Sequence, residues 1–499
     1  MTSAKDTPLP RLRSATGRWI VAATVLGSSI AMLDATVVNI ALPKIGTDLE
    51  ADTAGLQWVI SGYTLTLASF ILLGGSLGDQ LGRRKVFVWG TIGFALTSLA
   101  CGLAPTIEVL IVARILQGVA GALLTPGSLA LISSSIAEED QGSAVGLWSG
   151  LGGIAGAIGP FLGGWIVEFT SWRVVFLLNV PLAALVVWVA LVHVPESRDP
   201  HASGRIDLPG NVVVVAGLGA LTYGLIESHL LTALLGVGLL ALFVVVELRS
   251  RTPMVPPKLF AAKLFVATNL VTFAVYIALS GMFFLFVLQL QIVSGYSPLA
   301  AGIASLPVTV LMLALSSRAG QWSHQHGARI PMTVGPLLAA AGLLLMLRIG
   351  PEASYLFDVL PGVLVFGLGL SALVAPLTRA VLGSVSSDWA GIASGVNNAV
   401  ARTAGLLAVA ALPGLAGMSA TAFGNPAEFS DGFRNAMLIC AGLLVVGAVL
   451  AFAMVERSAG VDPQSRPGCI DCQPQVAIAG TAVQPGRSAP PREREVPSR

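Results

Sequence analysis

Charge is what this sequence has least of. Asp, Glu, Lys and Arg supply 11% of its 499 residues against 55% hydrophobic ones, and the mean hydropathy is +0.82. A fold surrounded by water needs more polar surface than that, so a soluble domain is excluded. The net charge of +2 offers no footprint for nucleic acid. No Gly-Lys dipeptide occurs, so there is no phosphate-cradling P-loop and ATP is not bound by that route. The five histidines lie in or near loops without HExxH or similar spacing, and neither a metal nor another cofactor is expected. Four cysteines are too few for a disulfide scaffold. Cys101 and Cys440 sit in apolar runs and read as small buried hydrophobes. Cys469 and Cys472 form one CxxC in a polar tail, without the second pair that a structural zinc site uses. No nucleophile is paired with a base in the apolar runs, so an intramembrane enzyme is not expected.

What the chain has instead is apolar runs of hydrocarbon length. A bilayer asks for roughly twenty apolar residues per helical crossing, because every backbone group inside it must be hydrogen-bonded within the segment. Such runs are expected at 19–42, 56–76, 86–103, 106–126, 143–167, 174–194, 210–228, 231–248, 264–293, 298–317, 330–348, 355–377, 391–414 and 434–455. The first is too long for a signal-peptide core and carries Asp34, so it reads as a true span. With the N-terminal segment cytoplasmic, the outer loops keep only Lys44, Arg173, Arg348 and Arg434 among the basic residues, which puts both termini inside.

Two polar, Pro-containing stretches, 195–209 and 249–263, bracket a helical hairpin that reads as an insertion between two halves. A repeat supports the division: Gly75 to Arg84 after the second span has a degenerate echo in Gly320 to Arg329 after the tenth. The expected fold is therefore an all-α integral membrane protein of about fourteen transmembrane helices. Residues 1–18 form a cytoplasmic N-terminal segment, 19–194 a six-helix bundle, and 195–263 a linker with the two extra central helices. Residues 264–456 form a second, pseudo-symmetric six-helix bundle, and 457–499, rich in Pro, Gln, Arg and Ser, a disordered cytoplasmic tail.

Three constellations carry chemistry. The loop Gly74-Gly75-Ser76-Leu77-Gly78-Asp79-Gln80-Leu81-Gly82-Arg83-Arg84-Lys85 joins two spans with almost no spare residues. Its glycines permit a tight turn, and Asp79 can pair with a neighbouring basic group or cap a helix. In the first span Asp34 lies nine residues before Pro43, about 13 Å from the outer end at helical rise. A carboxylate at that depth is costly and marks an ion pathway, a cation site or a paired charge, with a static ion pair as the plainer reading. Asn39 lies about 140° around the helix from Asp34, so the two do not stack into one site. Arg114, about eight residues into the fourth span, sits about 12 Å below the outer face. The matched depth suggests that Asp34 and Arg114 line one cavity and are electrostatically coupled. The fifth span carries Gly146, Gly150, Gly152, Gly153, Gly156, Gly159-Pro160 and Gly163-Gly164, small residues that let helices approach, with a bend at Pro160.

These strings resemble known ones. The Gly75 to Lys85 loop resembles the cytoplasmic signature between helices two and three of the major facilitator superfamily, and that resemblance implies a gate whose charge contacts switch between inward-open and outward-open states. Arg114-Ile-Leu-Gln117-Gly118 resembles the superfamily's helix-four motif, whose Arg is associated with proton coupling. Gly159-Pro160-Phe-Leu-Gly163-Gly164, with Gly156 before it, resembles the antiporter motif of its drug exporters, although Ala155 stands where Gly is common. Leu33-Asp34 through Pro43, Trp172-Arg173 with Phe176, Asn179-Val-Pro181, and Gly395-Val-Asn397-Asn398 followed by Arg402 look like the fourteen-helix drug/proton antiporter family. After Arg402 the chain reads Thr403-Ala404-Gly405, where that family often has paired glycines.

The resemblance and the residues together imply a secondary transporter that expels small amphipathic or cationic compounds, such as drugs and antibiotics, in exchange for protons. Export of an endogenous metabolite, antibiotic or lipid is the alternative, and a non-transporting sensor a more remote one. The residues expected to serve proton coupling or the substrate cavity are Asp34, Arg114, Asn39, Tyr63, Gln117 and Arg402, with Gly75, Asp79, Gly82, Arg83 and Arg84 in the gating loop. The expected partners are a small-molecule substrate, protons and the lipid bilayer, around a monomeric protein. Arg outnumbers Lys 23 to 5, a composition compatible with a GC-rich bacterium and so with an inner membrane.

Overall fold

The computed structural model describes residues 9–198, 208–250, 255–385, 389–419 and 421–455. The expected tail, Cys469 and Cys472 included, lies outside the described residues. Among the described residues fourteen helices are long and apolar enough to cross a bilayer: α1 Ala15–Asp48, α2 Thr53–Leu81, α3 Arg83–Gly102, α4 Ile107–Ser135, α5 Glu139–Phe169, α6 Trp172–His193, α7 Pro209–Ile226, α8 Leu230–Arg249, α9 Lys263–Val293, α10 Pro298–Ser323, α11 Arg329–Met346, α12 Tyr355–Gly383, α13 Ile392–Leu415 and α14 Pro426–Met454. Each coincides with one expected span. Several outrun it, because a helix continues past the hydrocarbon until a polar side chain caps it. Ser14 accepts from the Gly17 N–H before α1, Asp52 from the Gly55 N–H before α2, and Asn425 from the Glu428 N–H before α14.

The helices pack as two six-helix bundles with the same neighbours in each. In the first, α2 and α3 pack on α4, α1 on α5, and α6 on α1 and α3; in the second, α10 and α11 pack on α12, α9 on α13, and α14 on α9 and α11. The loop echo has a matching backbone. Gly82 ends α2 at φ +115° and Gly327 follows α10 at φ +89°, both left-handed turns in which a side chain is strained. Gly82 has a second requirement, since a Cβ there would meet Glu196 Oε1 at 2.7 Å.

The inserted α7–α8 hairpin is central in the chain and peripheral in the fold. It closes on itself at Gly217, Gly224 and Gly236, where a Cβ would strike the facing helix. α7 lies where α2 and α13 meet, with Leu65, Leu218 and Leu406 packed together and Asn211 Nδ2 donating to Ser69 O at 3.1 Å. α8 turns Leu231, Leu235 and Leu242 outward, as lipid contact requires.

The two bundles meet in a seam at the end that bears the α1–α2 connection. Gln57 Nε2 donates to Val409 O at 2.7 Å, Gln291 Nε2 to Ile40 O at 3.2 Å, and the Leu299 N–H to Glu168 Oε2 at 3.0 Å. Glycines allow the closest backbone approach: a Cβ on Gly302 would lie 2.2 Å from Pro160 O, and one on Gly164 2.6 Å from Pro298 O. The glycine stripe of α5 therefore splits. Gly159, Gly163 and Gly164 make the close approaches expected of it, whereas a Cβ on Gly146, Gly150, Gly153 or Gly156 would meet nothing within 4 Å. Gly302→Val should keep the seam from closing, raising the reactivity of a Gln291→Cys thiol toward that of an exposed one; unchanged protection would refute this account of the contact.

Candidate functional site

Four helices of the first bundle turn polar side chains toward one point. α1 brings Asp34 and α3 brings Ser98. α4 brings Arg114 and Gln117, three residues apart and so on one helix face, and α6 brings Asn179, two residues before Pro181. Arg114 Nη1 donates to Asp34 Oδ2 and, at 2.7 Å, to Gln117 Oε1, while its Nε donates to Val59 O at 3.0 Å. Gln117 Nε2 donates to Asp34 Oδ1 at 3.1 Å and to Ser98 Oγ at 2.7 Å, and Asn179 Nδ2 donates to Asp34 Oδ1 at 3.0 Å. Asp34 is 2% exposed and Arg114 1%. An ion pair this deep needs further partners for its donors and acceptors, and Val59 O, Gln117 and Asn179 supply them to Arg114 Nε and Nη1 and to Asp34 Oδ1.

A cavity of about 590 Å³ lies beside this network, between the bundles. Among the six residues expected at the coupling and substrate site, Asn39, Tyr63 and Arg402 stand on its wall; Asp34, Arg114 and Gln117 do not. The shared depth of Asp34 and Arg114 thus becomes direct contact, but the expectation that they line the cavity is corrected. The reason is rotational: the face of α1 that carries Asp34 turns inward to α4 and α6, and Asn39, well around the helix, faces the cavity. Tyr63 is the partition. It lines the cavity on one side and on the other lies over the Arg114 guanidinium, 4.2 Å from Cζ to the ring centroid.

The Tyr63 hydroxyl is buried without a hydrogen-bond partner among the described residues. Tyr63→Phe should therefore change stability by less than about 1 kcal/mol, since no bond is lost. Tyr63→Ala should cost about 3–5 kcal/mol, as other buried aromatic truncations do. Thermal unfolding of the two purified variants checks the contrast, and similar losses would contradict the partition.

Composition and depth arithmetic miss Ser98 as a site residue, because small hydroxyls abound on these helices, and place Asn179 only in a family string. Its signal was an amide near Pro181 inside an apolar run. On the second bundle Asn397 Nδ2 donates to Thr272 Oγ1 at 2.8 Å and to Asn269 Oδ1 at 3.2 Å, and Asn398, Tyr276 and Phe283 join the wall. Gln57 belongs to the seam, and Trp58 Nε1 donates to Glu227 Oε1 at 3.0 Å. Asp358 pairs with Arg348 at 3.7 Å, so these helix-end carboxylates are occupied structurally.

The stretch Gly75–Arg84, expected as a gating loop with a tight glycine turn, is instead helical as far as Leu81 and again from Arg83, with the turn confined to Gly82, and it packs within the first bundle. Arg83 pairs with Asp79 at 2.8 Å, the Arg84 N–H donates to Glu196 Oε1 at 3.0 Å, and Arg84 Nη1 donates to Val194 O at 2.9 Å. Gly75 faces Pro126 of α4.

The family model described as Major Facilitator Superfamily matches residues 24–409. This chain belongs to that superfamily. Relatives within it include the "Multidrug resistance protein Stp" of Mycobacterium tuberculosis, 36% identical over 76% of this chain and 72% of that protein. Another is the "Cephamycin export protein CmcT" of Amycolatopsis lactamdurans, 35% identical over 80% of this chain and 85% of the relative. Among solved structures, a bacterial homologue of the human lysosomal transporter Spinster, in an inward-facing and occupied conformation, aligns with TM-score 0.64 at 15% identity, covering 88% of this chain and 97% of its own. That likeness gives the superfamily fold: a multi-pass membrane protein whose two bundles flank a cavity. Between them this chain holds a mostly apolar chamber with amides, hydroxyls and one guanidinium on the wall, next to a sealed carboxylate–guanidinium pair. Such an arrangement can bind a small organic molecule in the chamber and keep a titratable group dry beside it.

Proposed function

We propose that this chain is a proton-driven exporter of small amphipathic organic molecules and not an enzyme. The observation that carries the reading is the buried, hydrogen-bonded Asp34–Arg114 pair, with the Tyr63 ring lying over its guanidinium on one side and lining the cavity on the other. Protonating Asp34 removes the charge that holds Arg114. The freed guanidinium then needs another partner, so the state of one proton alters how α1, α4 and α6 pack. The printed names of the relatives, a multidrug resistance protein and an antibiotic export protein, support the outward direction and the class of cargo.

The rest of the reading follows the same line. The loops carrying Arg83, Arg84 and Lys85 lie in the cytoplasm with both termini, by the excess of basic residues on that side. The seam is then at the outer face and the cavity is reached from within, a state suited to collecting cargo. Residues 19–194 and 264–456 act as the two moving bundles around the 195–263 insertion, the Gly75–Arg84 loop serves as their inner gate, and the Gly159–Gly164 contact as the outer one. The protein works as a monomer in a bacterial inner membrane. Its name makes CmcT an exporter of cephamycin, which favours, as a second reading, export of a compound the host itself makes.

The test is efflux of amphipathic fluorescent dyes from vesicles holding the purified protein under an imposed pH gradient. Efflux that follows the gradient and stops with a protonophore is expected, and efflux indifferent to both would overturn the reading.

A further inference from the structure

We infer that Arg402 is the anchor for an anionic group on the cargo, so that the cavity selects amphipathic molecules bearing a carboxylate or similar anion. The inference rests on the reading of this cavity as the cargo site. Arg402 stands on the wall contributed by α13, about midway along the membrane-spanning helix. Among the described residues its guanidinium makes no ion pair and no hydrogen bond, and its Nε is buried and unpartnered. A guanidinium held at membrane depth without a partner is costly, and such a charge is kept where something else completes it.

Nothing on the wall does so. Among the described residues no Asp, Glu, Lys or His lines the cavity, and Arg402 is the one charged residue on its wall. The carboxylate that could have served, Asp34, is committed to Arg114, Gln117 and Asn179 behind Tyr63. The cavity thus presents one uncompensated positive charge to whatever enters it. A cationic cargo would meet repulsion with no carboxylate to offset it. A carboxylate would find the planar fork that guanidinium offers, with Asn398 and Tyr276 close on the same wall as further donors. Phe283, Phe284 and Leu279 supply the apolar surface for the remainder of the molecule.

The local potential can be read without knowing the cargo. In the full chain with its four cysteines replaced by Ser, Asn398→Cys puts a thiol on the wall one helical turn before Arg402. Its reaction rates with the anionic reagent MTSES and the cationic reagent MTSET, each divided by the rate with free mercaptoethanol, should favour the anion by about tenfold or more. Arg402→Gln should bring that ratio to about one, and Arg402→Lys, which keeps the charge, should retain most of it.

As a second readout, purified protein should bind fluorescein more tightly than rhodamine 6G, two xanthene dyes of opposite charge, with Arg402→Gln removing that preference. A ratio near one with Arg402 present, a ratio untouched by Arg402→Gln, or preference for rhodamine 6G would each overturn the inference. Neither readout uses a proton gradient. Protein that showed the anion preference yet expelled nothing from vesicles would contradict the exporter reading and uphold the anion site.

Discussion

Asp34→Asn should yield a folded protein that still binds dye and no longer couples dye movement to a proton gradient. The substitution keeps the shape of the side chain, and its amide oxygen can still accept from Arg114, Gln117 or Asn179. What disappears is the only acid in the buried network, and with it the ability to switch charge. Binding survives because the cavity wall is made by Asn39, Tyr63, Tyr276, Asn398 and Arg402, not by Asp34. Two measurements on the same preparation decide it: dye binding by fluorescence anisotropy, and dye efflux under an imposed pH gradient. Gradient-driven efflux as fast as in the unaltered protein would eliminate Asp34 as the coupling group. Loss of both binding and efflux would point instead to collapse of the bundle.

Arg114→Leu should cost about 3–5 kcal/mol of stability, because it leaves a buried carboxylate without its cation. It also removes the side-chain donor to the Val59 carbonyl and the charge beneath the Tyr63 ring. Asp34→Asn combined with Arg114→Gln should recover part of the loss, since the pair of amides has no net charge to bury. Thermal unfolding followed by tryptophan fluorescence gives the order: Arg114→Leu lowest, the double variant between it and the parent. The reciprocal exchange, Asp34→Arg with Arg114→Asp, tests direct pairing through function. A double exchange no better than either single one would mean that the two charges do not act as a pair.

Much of this was legible in the sequence for physical reasons. Hydrocarbon thickness fixes how long an apolar run must be, so all fourteen crossings could be placed from composition alone. The helical rise converts residue number into depth, and equal depth brought Asp34 and Arg114 together before their contact was seen. Direction around the helix was harder. Sequence gave the angle between Asp34 and Asn39 but not which of the two faced the cavity, since that depends on where α4 and α6 pack. Small polar partners were hidden for a related reason. Ser98 resembles many other hydroxyls that merely bond back to their own helix, as Thr91 does to Phe87 O. The glycines of α5 look uniform along the chain, yet only those opposite α1 and α10 work at close range, and a period cannot say where a neighbouring helix ends. The insertion was visible as two extra spans, while its place at the rim needed the α7 contacts with α2 and α13.

The ring of Tyr63 has a consequence for the economy of transport. On the proposed mechanism proton and passenger occupy different compartments, so neither has to leave before the other boards, and acid should slow or speed turnover without competing for the same atoms. Tightness of exchange then depends on the helices alone. Any replacement that lets the bundles rock with only one occupant aboard would turn the pump into a leak, dissipating the gradient while its affinity for cargo stayed intact.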